Sequence, residues 1–482
     1  MEAVIGLEIH AELATQSKMF CACPVVHSAQ AAPNCCVCPV CAGMPGVLPV
    51  INRQAVEYGL RVALALNCQV APVSIFARKN YFYPDLPKGY QITQYDRPLA
   101  QHGSLLIQTS QGERQVRIRR VHLEEDAGKL THTQIDDQPC SLVDLNRAGV
   151  PLLEIVSEPD LHTPEEVRAY ATALRAILRY VGANSGDMEK GVLRIEPNIS
   201  LRPTGSTALG SRTEIKNLNS FRALERATAY EIERQAALLS QGQPVRQETR
   251  GWDEASGQTT LQRVKEQAED YRYFAEPDLP PLVVEPGWLE AVRQSLPELP
   301  AVRQQRFQAQ YGLSAYDAAV LVEERSVADY YEQSAAAAQG IAPKVIANWV
   351  SGELFALLNK AGLEIAACPV NPVALAGLLG MVARGEISQA SAKGVLAEAF
   401  ASGQEPAAIV NARGLHQVSD TAAITELVRQ VLAENSSQAA AYRGGKEALF
   451  QWFFGQVMRR GKGQANPQVV KQVLLDLLHE QP

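Results

Sequence analysis

The sequence lacks two motifs that mark common classes of phosphate-binding and acyl-transfer proteins. Its 482 residues contain no G-x-x-x-x-G-K-[ST] string, which excludes a P-loop, and no G-x-S-x-G string, which excludes a nucleophile elbow. Long hydrophobic runs are also missing, because the most apolar stretch, 373–383, is much shorter than the about 20 residues that span a bilayer. The first residues, MEAVIGLEIH, carry no basic leader. We therefore expect a cytoplasmic protein without membrane contact.

An excess of positive charge is absent from the chain as a whole. The formal net charge is -7, which disfavours a protein that coats nucleic acid by charge alone. The stretch 441–471 differs, since it holds six Lys and Arg residues against one Glu. Arg459, Arg460 and Lys462 lie there beside flexible glycines, which suits contact with phosphates; a solvated surface is the alternative. We expect two aromatic residues of this stretch to pack its helices: Trp452 and Phe453.

The residue patterns predict an α+β fold whose C-terminal part is helical. VIGLEIHAEL alternates between apolar and polar residues, as a half-buried strand does. We predict a hairpin around Gln111-Gly112 and helices at 163–181 and 221–239. Prolines interrupt 286–300, and helical spacing of Ala, Leu and Glu follows. The predicted domains are 1–292 (mixed α/β), 293–405 (helical) and 406–482 (a small helical tail).

The cysteines are concentrated near the N-terminus, where six of the nine lie within 21–41. One CxC pair is followed, after fourteen residues, by one CxxC pair. Two close pairs separated by a loop can place four thiolates around one zinc ion, as in a zinc knuckle, and four thiolates leave no open position for catalysis. His27, Cys35 and Cys36 leave other ligand sets open. The spacing favours a structural zinc site at Cys21, Cys23, Cys38 and Cys41.

Acidic residues recur in three separated segments. In the first strand, Glu8 and His10 are two residues apart, so their side chains point to the same side. Carboxylates with one histidine suit a hard divalent ion such as Mg²⁺, with water and phosphate completing the coordination. Unrelated acidic turns are the alternative, and spacing alone leaves both open. The other acids lie in HLEEDAGK and PLLEIVSEPD: Glu124, Glu125, Asp126, Glu154 and Glu158.

The segment RKNYFYPDLPKGYQITQYD, at 78–96, combines basic and aromatic residues. It contains Arg78, Lys79 and Lys88 with four tyrosines, and its prolines restrict the backbone. Two interpretations are open. The segment is either a loop that clamps an anionic or nucleotide substrate, or a strand–loop–strand whose aromatic residues pack in the core.

Long strings in order along the chain carry a family resemblance. They are VIGLEIHAEL, CPVC with GMPGVLPVIN, RKNYFYPDLPKGYQI, HLEEDAGK, DLNRAGVPLLEIVSEPD, EIKNLNS, DYRYFAEPDLPPL and GQANP. Together they resemble the GatB family, the B subunits of the aspartyl/glutamyl-tRNA amidotransferase GatCAB. The resemblance runs from Val4 to the tail. It departs at Glu196-Pro197, where the family pattern has Asp-Ala, so the acid is kept but is one methylene longer.

The resemblance implies a subunit of an ATP-dependent carbon–nitrogen ligase with glutamine as the amide donor. The B subunit would use Mg²⁺ and ATP to phosphorylate the side-chain carboxylate of Asp-tRNA(Asn) or Glu-tRNA(Gln). Ammonia would then displace phosphate and give Asn-tRNA(Asn) or Gln-tRNA(Gln), a step that a free carboxylate does not allow because its oxygen is a poor leaving group. The implied partners are a glutaminase A subunit, a small C subunit and the misacylated tRNA. The implied fold is a cradle domain with a kinase-type site, a helical domain and a YqeY-like, tRNA-binding tail.

The matching positions imply roles for individual residues. The predicted Mg²⁺ ligands are Glu8, His10, Glu125 and Glu154. The predicted catalytic residues match a loop between the ammonia route and the activation site: Lys79, Tyr81 and Lys88. Glu124 and Arg202 are the predicted contacts to ATP. The zinc cysteines match as well, and some family members lack them, which favours a structural role for the metal.

Two other classes of protein remain as alternatives. One is a non-catalytic subunit that binds tRNA or supports assembly, in which the acidic residues are inert. The other is a zinc-knuckle protein that binds nucleic acid, which the net charge of -7 disfavours. Neither alternative predicts nucleotide-dependent turnover, so an assay of turnover separates them from the ligase.

Overall fold

The computed structural model describes residues 1–26, 31–264, 271–417, 420–461 and 465–479. The chain forms two compact units, Met1–Pro300 and Ala301–Pro482. The first is mixed α/β, and every described element of the second is a helix. This confirms the predicted mixed fold with a helical C-terminal part; the three domain boundaries stay predictions. Among the described helices, none has the length and apolarity needed to cross a membrane.

The first unit contains sixteen described strands and four helices. The strands are β1 Glu2–Glu12, β2 Gln69–Val70, β3 Val73–Ser74, β4 Phe76–Asn80, β5 Tyr90–Gln94, β6 Ala100–Thr109, β7 Gly112–Glu125, β8 Lys129–Ile135, β9 Gln138–Asp144, β10 Pro151–Ser157, β11 Leu193–Arg202, β12 Thr213–Lys216, β13 Glu248–Asp253, β14 Gln258–Val264, β15 Phe274–Ala275 and β16 Leu282–Val283. The helices are α1 Arg53–Ala65, α2 Pro164–Tyr180, α3 Phe221–Ser240 and α4 Pro286–Gln294.

Local signals account for the elements that the sequence predicts. The side chain of Thr163 accepts a hydrogen bond from the Glu166 N–H, and Ser220 caps α3 in the same way through Ala223. These caps fix the starts of α2 and α3, which confirms the two predicted helices. The hairpin of β6 and β7 is confirmed as well, with Thr109 paired to Gly112 across its turn.

Nine strands form one sheet in the order β14-β13-β12-β11-β1-β10-β7-β6-β2. Neighbouring strands are antiparallel except β12 and β13, which are parallel. Strand β1 lies in the middle, and its odd-numbered residues are buried with the helices in one hydrophobic core. Ile9, Ile155 and Val121 lie side by side in that core. The helices cover this face, so the even-numbered residues of β1 lie on the opposite, polar face.

Smaller sheets lie beside the large one. Strands β15, β4 and β5 form a three-stranded sheet, β16 pairs with β3, and β8 pairs with β9 in a separate hairpin. The β4–β5 hairpin contains the basic aromatic segment, and residues of β5 contact the end of β7. This contact places the segment next to HLEEDAGK.

The second unit contains two separate hydrophobic cores. One is built around Phe307, Tyr331 and Leu375, and the other around Phe453, Val457 and Leu474. The helices are α5 Pro300–Tyr311, α6 Ala315–Val322, α7 Arg325–Ala337, α8 Pro343–Asn348, α9 Phe355–Ala361, α10 Pro372–Ala383, α11 Gln389–Ser402, α12 Pro406–Ala412, α13 Thr421–Glu434, α14 Ser436–Arg443, α15 Leu449–Arg460 and α16 Pro467–His479. Trp349–Leu354 is a π-helical segment and Ile365–Ala367 is a 3-10 helix.

Candidate active site

The polar face of the large sheet brings titratable residues from distant segments together. His10 on β1 lies opposite Glu154 on β10, and Glu154 lies opposite His122 on β7. Glu124 is two residues beyond His122, so it projects from the same face. Side chains from three strands therefore meet at one place because β1, β10 and β7 are neighbours in the sheet.

One potential metal-binding group consists of His10, Glu124 and Glu154. One ligand atom from each of these residues lies within 4.8 Å of the other two. His10 Nε2 is 3.8 Å from Glu124 Oε1 and 3.5 Å from Glu154 Oε2. His122 is adjacent, with its Nε2 3.2 Å from Glu154 Oε2. These four side chains form the acidic group of the site.

Burial and charge act in opposite directions in the acidic group. Burial alone would lower the pKa of His10, but the neighbouring Glu154 and Glu124 carboxylates outweigh it and raise the pKa to about 9. Burial would raise the pKa of Glu154, but His122 and His10 hold it well below its ordinary value. His122 is 1% exposed, and its Nδ1 has no hydrogen-bond partner among the described residues. His10 and Glu154 therefore carry opposite charges in a group that is largely shielded from water.

A second group of carboxylates, Glu8, Glu196 and Glu214, lies beside the first. Their oxygen atoms are also within 4.8 Å of one another. Lys216 already balances part of this charge, because its Nζ is 3.0 Å from Glu196 Oε2 and 3.3 Å from Glu214 Oε1. Burial, followed by the nearby carboxylates of Glu154 and Glu214, raises the pKa of Glu8. Glu196, the residue that departs from the family pattern, therefore binds a lysine.

Glu125 belongs to neither group. Its Oε1 accepts hydrogen bonds from Lys88 Nζ and from the Ile92 N–H, the second at 3.0 Å. Alternation along β7 explains the separation, since Glu124 and Glu125 are consecutive and leave the strand on opposite sides. Of the four predicted Mg²⁺ ligands, the structure brings His10 and Glu154 together, places Glu8 in the second group and holds Glu125 against Lys88.

A cavity of about 370 Å³ opens on the polar face next to Glu8. Its lining residues include Arg119, Asn198, Ser200, Ser211 and Arg212. Asn198 Nδ2 donates a hydrogen bond of 3.2 Å to Glu8 Oε1, so the cavity and the second carboxylate group share a wall. The predicted ATP contact Arg202 is not among its described lining residues. Its Nε donates a hydrogen bond of 2.5 Å to Glu2 Oε1.

The β4–β5 hairpin is a strand–loop–strand, but its aromatic residues do not all pack in the core. At the tip, Phe82 is 81% exposed and Tyr83 is 60% exposed. At the base, Lys79 Nζ lies 4.9 Å from the ring centroid of Tyr271, which in turn contacts Tyr81 edge-on at 6.2 Å. Burial and then the charge of Glu124 raise the pKa of Tyr81, so its hydroxyl is held in the neutral form. The hairpin thus holds Lys79 and Tyr81 against Tyr271, with the Tyr81 hydroxyl close enough to Glu124 to feel its charge.

The four predicted zinc cysteines lie together. The sulfur atoms of Cys21, Cys23, Cys38 and Cys41 are within 4.8 Å of one another. Cys41 Sγ is 4.0 Å from Cys23 Sγ and 3.8 Å from Cys38 Sγ, and it accepts a hydrogen bond from the Cys38 N–H. A hydrogen bond with the Cys21 thiol lowers the pKa of Cys41 to about 4. Cys35 and Cys36 lie outside the group, and His27 lies outside the described residues.

The basic stretch of the second unit is partly neutralised. Arg460, at the end of α15, forms an ion pair with Glu434, and Arg459 is exposed beside it. Lys462 lies outside the described residues. Phe453 is fully buried as predicted, whereas Trp452 is 38% exposed and packs only in part, edge-on against Phe453 at 5.1 Å. The helical spacing of α15 explains the difference, because adjacent residues point in different directions.

Sequence reasoning missed three members of the two charged groups: His122, Glu214 and Lys216. The alternation of β7 was available as a signal for His122, which stands two residues before Glu124. Glu214 and Lys216 lie in EIKNLNS, whose short strand carries no local sign of its neighbours. They join the site only through the order β12-β11-β1.

Comparison with known proteins identifies the family. Residues 3–290 match the GatB/GatE catalytic domain, and residues 329–478 match the GatB domain. Proteins named as the B subunit of aspartyl/glutamyl-tRNA(Asn/Gln) amidotransferase are 54% identical in Moorella thermoacetica, 49% in Thermodesulfovibrio yellowstonii and 50% in Carboxydothermus hydrogenoformans. Each alignment covers 99% of this chain and 98% or 99% of the relative. These matches confirm the resemblance, and the chain belongs to the GatB family.

Proposed function

We propose that this chain is the carboxylate-activating B subunit of a tRNA-dependent amidotransferase. It uses ATP to phosphorylate the side chain of Asp on tRNA(Asn) or Glu on tRNA(Gln), and ammonia then displaces the phosphate to form the amide. The observation that carries the proposal is the convergence of His10, Glu124 and Glu154 on the sheet face where Glu8 lines a cavity with two arginines. The relatives that carry the corresponding name align with this chain over 99% of their length.

The acidic group fits a divalent cation such as Mg²⁺. The two carboxylates offer hard oxygen donors, and the imidazole of His10 can join them once it has lost its proton. We propose His10, Glu124 and Glu154 as ligands, with Glu8 at the border towards the cavity. This exchanges the family-derived Glu125 for Glu124, because Glu125 is already engaged by Lys88. Bound Mg²⁺ supplies compensation for the negative charge on phosphate during transfer.

The cavity beside Glu8 has the polarity to accept part of a nucleotide. Arg119 and Arg212 line it, and arginine can donate two parallel hydrogen bonds to phosphate. Arg119 is held in place by Glu158, with contacts of 3.1 and 2.8 Å. We propose that these arginines bind phosphate oxygens of ATP and that Asn198 orients Glu8 between the phosphates and the acidic group.

Lys79, Tyr81 and Lys88 would act from the β4–β5 hairpin. Lys79 is half-buried over Tyr271, where an ammonium group gains from contact with the ring face. We propose that Lys79 and Tyr81 line the space in which ammonia attacks the activated carbonyl. Lys88 would hold the Glu125 side chain in position through their ion pair. Glu124 is the predicted contact to ATP, and as a metal ligand it would also border the ATP phosphates.

The cysteine group fits a structural Zn²⁺ ion. Four sulfur atoms within 4.8 Å match the tetrahedral thiolate sites of small zinc domains, and four protein ligands exclude an open catalytic position. We propose that Zn²⁺ bound by Cys21, Cys23, Cys38 and Cys41 fixes the loop 21–41.

The experiment that tests the function uses the chain with and without its A and C partner subunits. Each preparation receives Glu-tRNA(Gln), Asp-tRNA(Asn), ATP and glutamine, and the esterified amino acids are analysed after release from tRNA. We expect Gln or Asn only in the complete complex with ATP. An inactive complex that still binds tRNA would support the non-catalytic alternative instead.

A further inference from the structure

Gly43, two residues beyond the last zinc cysteine, lies in contact with Lys88. It has φ of +68°, and a Cβ added to it would lie 2.7 Å from Lys88 Cγ and 2.9 Å from Lys88 N. Real Cβ atoms do not approach backbone atoms so closely, so no side chain fits there without a shift of Lys88. Gly46, in the same loop, also has a positive φ, but its added Cβ would meet nothing within 4 Å.

The position of Gly43 is tied to the cysteine pair that precedes it. The N–H of Gly43 donates to Val40 O at 3.1 Å, and the N–H of Ala42 donates to Cys38 O at 2.9 Å. These bonds close a compact turn around the CxxC pair. The cysteine group therefore fixes the backbone position of Gly43, and the close contact with Gly43 restricts the position of Lys88.

Lys88 connects this turn to the acidic strand. Its ammonium group pairs with Glu125, and Gln91 Nε2 donates to Glu125 O at 2.7 Å. Thr93 Oγ1 donates to Glu124 Oε2 at 3.1 Å. A displacement of Lys88 would thus change both the Glu125 side chain and the strand that holds Glu124.

The cysteine loop also holds the segment that leads into β10. Lys18 Nζ donates to Cys36 O at 2.9 Å and to Leu145 O at 3.2 Å, although Lys18 itself is fully buried. Asn146 Oδ1 accepts from the Cys36 N–H at 2.9 Å. The loop therefore contacts the segment that leads into β10, the strand of Glu154. Through Lys88 it is also connected to Glu125 at the end of β7.

We infer that the cysteine loop is a positioning element for carboxylate activation, acting through the contact of Gly43 with the Lys88–Glu125 ion pair. The inference rests on the proposed function and adds a role to a loop that otherwise only stabilises the fold. Gly43 touches no reacting group in this account. It fixes the position of Lys88, which forms the ion pair with Glu125 at the end of β7.

The test compares Gly43→Ala with Gly46→Ala in the complete complex. Both variants place alanine at a positive φ, and only the first introduces a contact with Lys88. We expect Gly43→Ala to retain zinc and to lower kcat for amidation by about 10- to 100-fold, the loss that a small misplacement of a catalytic group produces. Gly46→Ala should retain the wild-type kcat. An inactive wild-type complex would refute the proposed function, whereas equal rates for the two variants would refute only the positioning role.

A second readout does not depend on turnover. Lysines of the complex are acetylated briefly and located by mass spectrometry, with Lys190 as the exposed reference. Gly43→Ala should increase labelling of Lys88 relative to Lys190, because the ion pair with Glu125 no longer protects the amine. If that variant does not fold, removal of zinc from the wild-type complex by a chelator should give the same increase. Unchanged labelling of Lys88 in either case would overturn the inference.

Discussion

At the scale of single residues, Glu124 and Glu125 show how strand alternation assigns different roles to adjacent acids. Glu124 faces His10 across the polar face, whereas Glu125 accepts hydrogen bonds from Lys88 and the Ile92 N–H. The sequence string HLEEDAGK contains both acids without distinguishing them. Applying period-two alternation to this string would have paired Glu124 with His122.

The variants Glu124→Gln and Glu125→Gln test this assignment. Both keep the size of the side chain and remove one charge. Glu124→Gln should weaken binding of Mn²⁺, used as a spectroscopic substitute for Mg²⁺, by more than about tenfold, as changes in a metal site commonly do. Glu125→Gln should weaken it less, because its carboxylate is not among the ligand atoms of the acidic group. Electron paramagnetic resonance of free Mn²⁺ measures both affinities, and the reverse order would restore the assignment of Glu125 that the family resemblance implied.

Other residues of the site lie beyond the reach of sequence patterns. Glu8 and His10 could be predicted as a pair because they are two residues apart on one strand and so lie on the same face. Their neighbours Glu196 and Glu214 come from later strands, and only the order β12-β11-β1 makes them adjacent. Sequence spacing contains no information about strand order, so these contacts required the structure.

At the scale of elements, the cysteine loop should contribute strongly to stability. Cys38→Ser removes one of four thiolates, and a site of this kind couples metal affinity to folding. We expect the variant to lose zinc and its unfolding midpoint in urea to fall. Cys140→Ser is the control, since this half-buried thiol on β9 lies outside the cysteine group. Metal analysis and urea titration measure the effect; wild-type zinc content and stability in Cys38→Ser would contradict the site.

The end of α15 and the residues after it provide a second test at this scale. Replacing Arg459, Arg460 and Lys462 by alanine should weaken tRNA binding and reduce the slope of log affinity against log salt by about one for each lost phosphate contact. Arg413→Ala is the control, because this exposed arginine is paired with Glu398 much as Arg460 is paired with Glu434. Filter binding across a salt series gives the slopes. Equal slopes for the triple variant and the control would indicate a solvated surface.

Elements with strong local signals were the ones that the sequence could predict. Strand β1 shows clean alternation, and α2 and α3 each begin at a capping residue. The 78–96 segment left two interpretations because its aromatic residues suit either a core or a surface. Phe82 is exposed and Tyr90 is half-buried, so the segment combines features of both. That outcome depends on the packing of β5 against β7, which is not a local property.

At the scale of the whole molecule, the α/β unit divides its two sheet faces between folding and chemistry. Helices bury one face in a continuous core, and the polar face collects the charged residues of β1, β7, β10, β11 and β12. Because the relatives are named as one subunit of an amidotransferase, we expect another subunit to supply the ammonia.

The dependence on a partner gives a prediction for the isolated chain. Alone, it should release no glutamate from glutamine above the background, whereas the complex with its A and C partners should do so. A coupled glutamate assay measures both preparations. Glutamine hydrolysis by the isolated chain that survives repeated purification would show that a glutaminase site had been overlooked.

We propose that the acidic group activates the carboxylate, and ammonium chloride allows this step to be measured without glutamine. The complete complex, misacylated tRNA, ATP and ammonium are mixed, and ADP and amidated tRNA are counted together. Wild type should form them in equal amounts. Glu154→Gln removes the carboxylate that contacts both His10 and His122, so it should slow both products by about 100-fold or more while tRNA binding persists. Amidation at the wild-type rate in Glu154→Gln, or amide formed without ADP, would contradict the account.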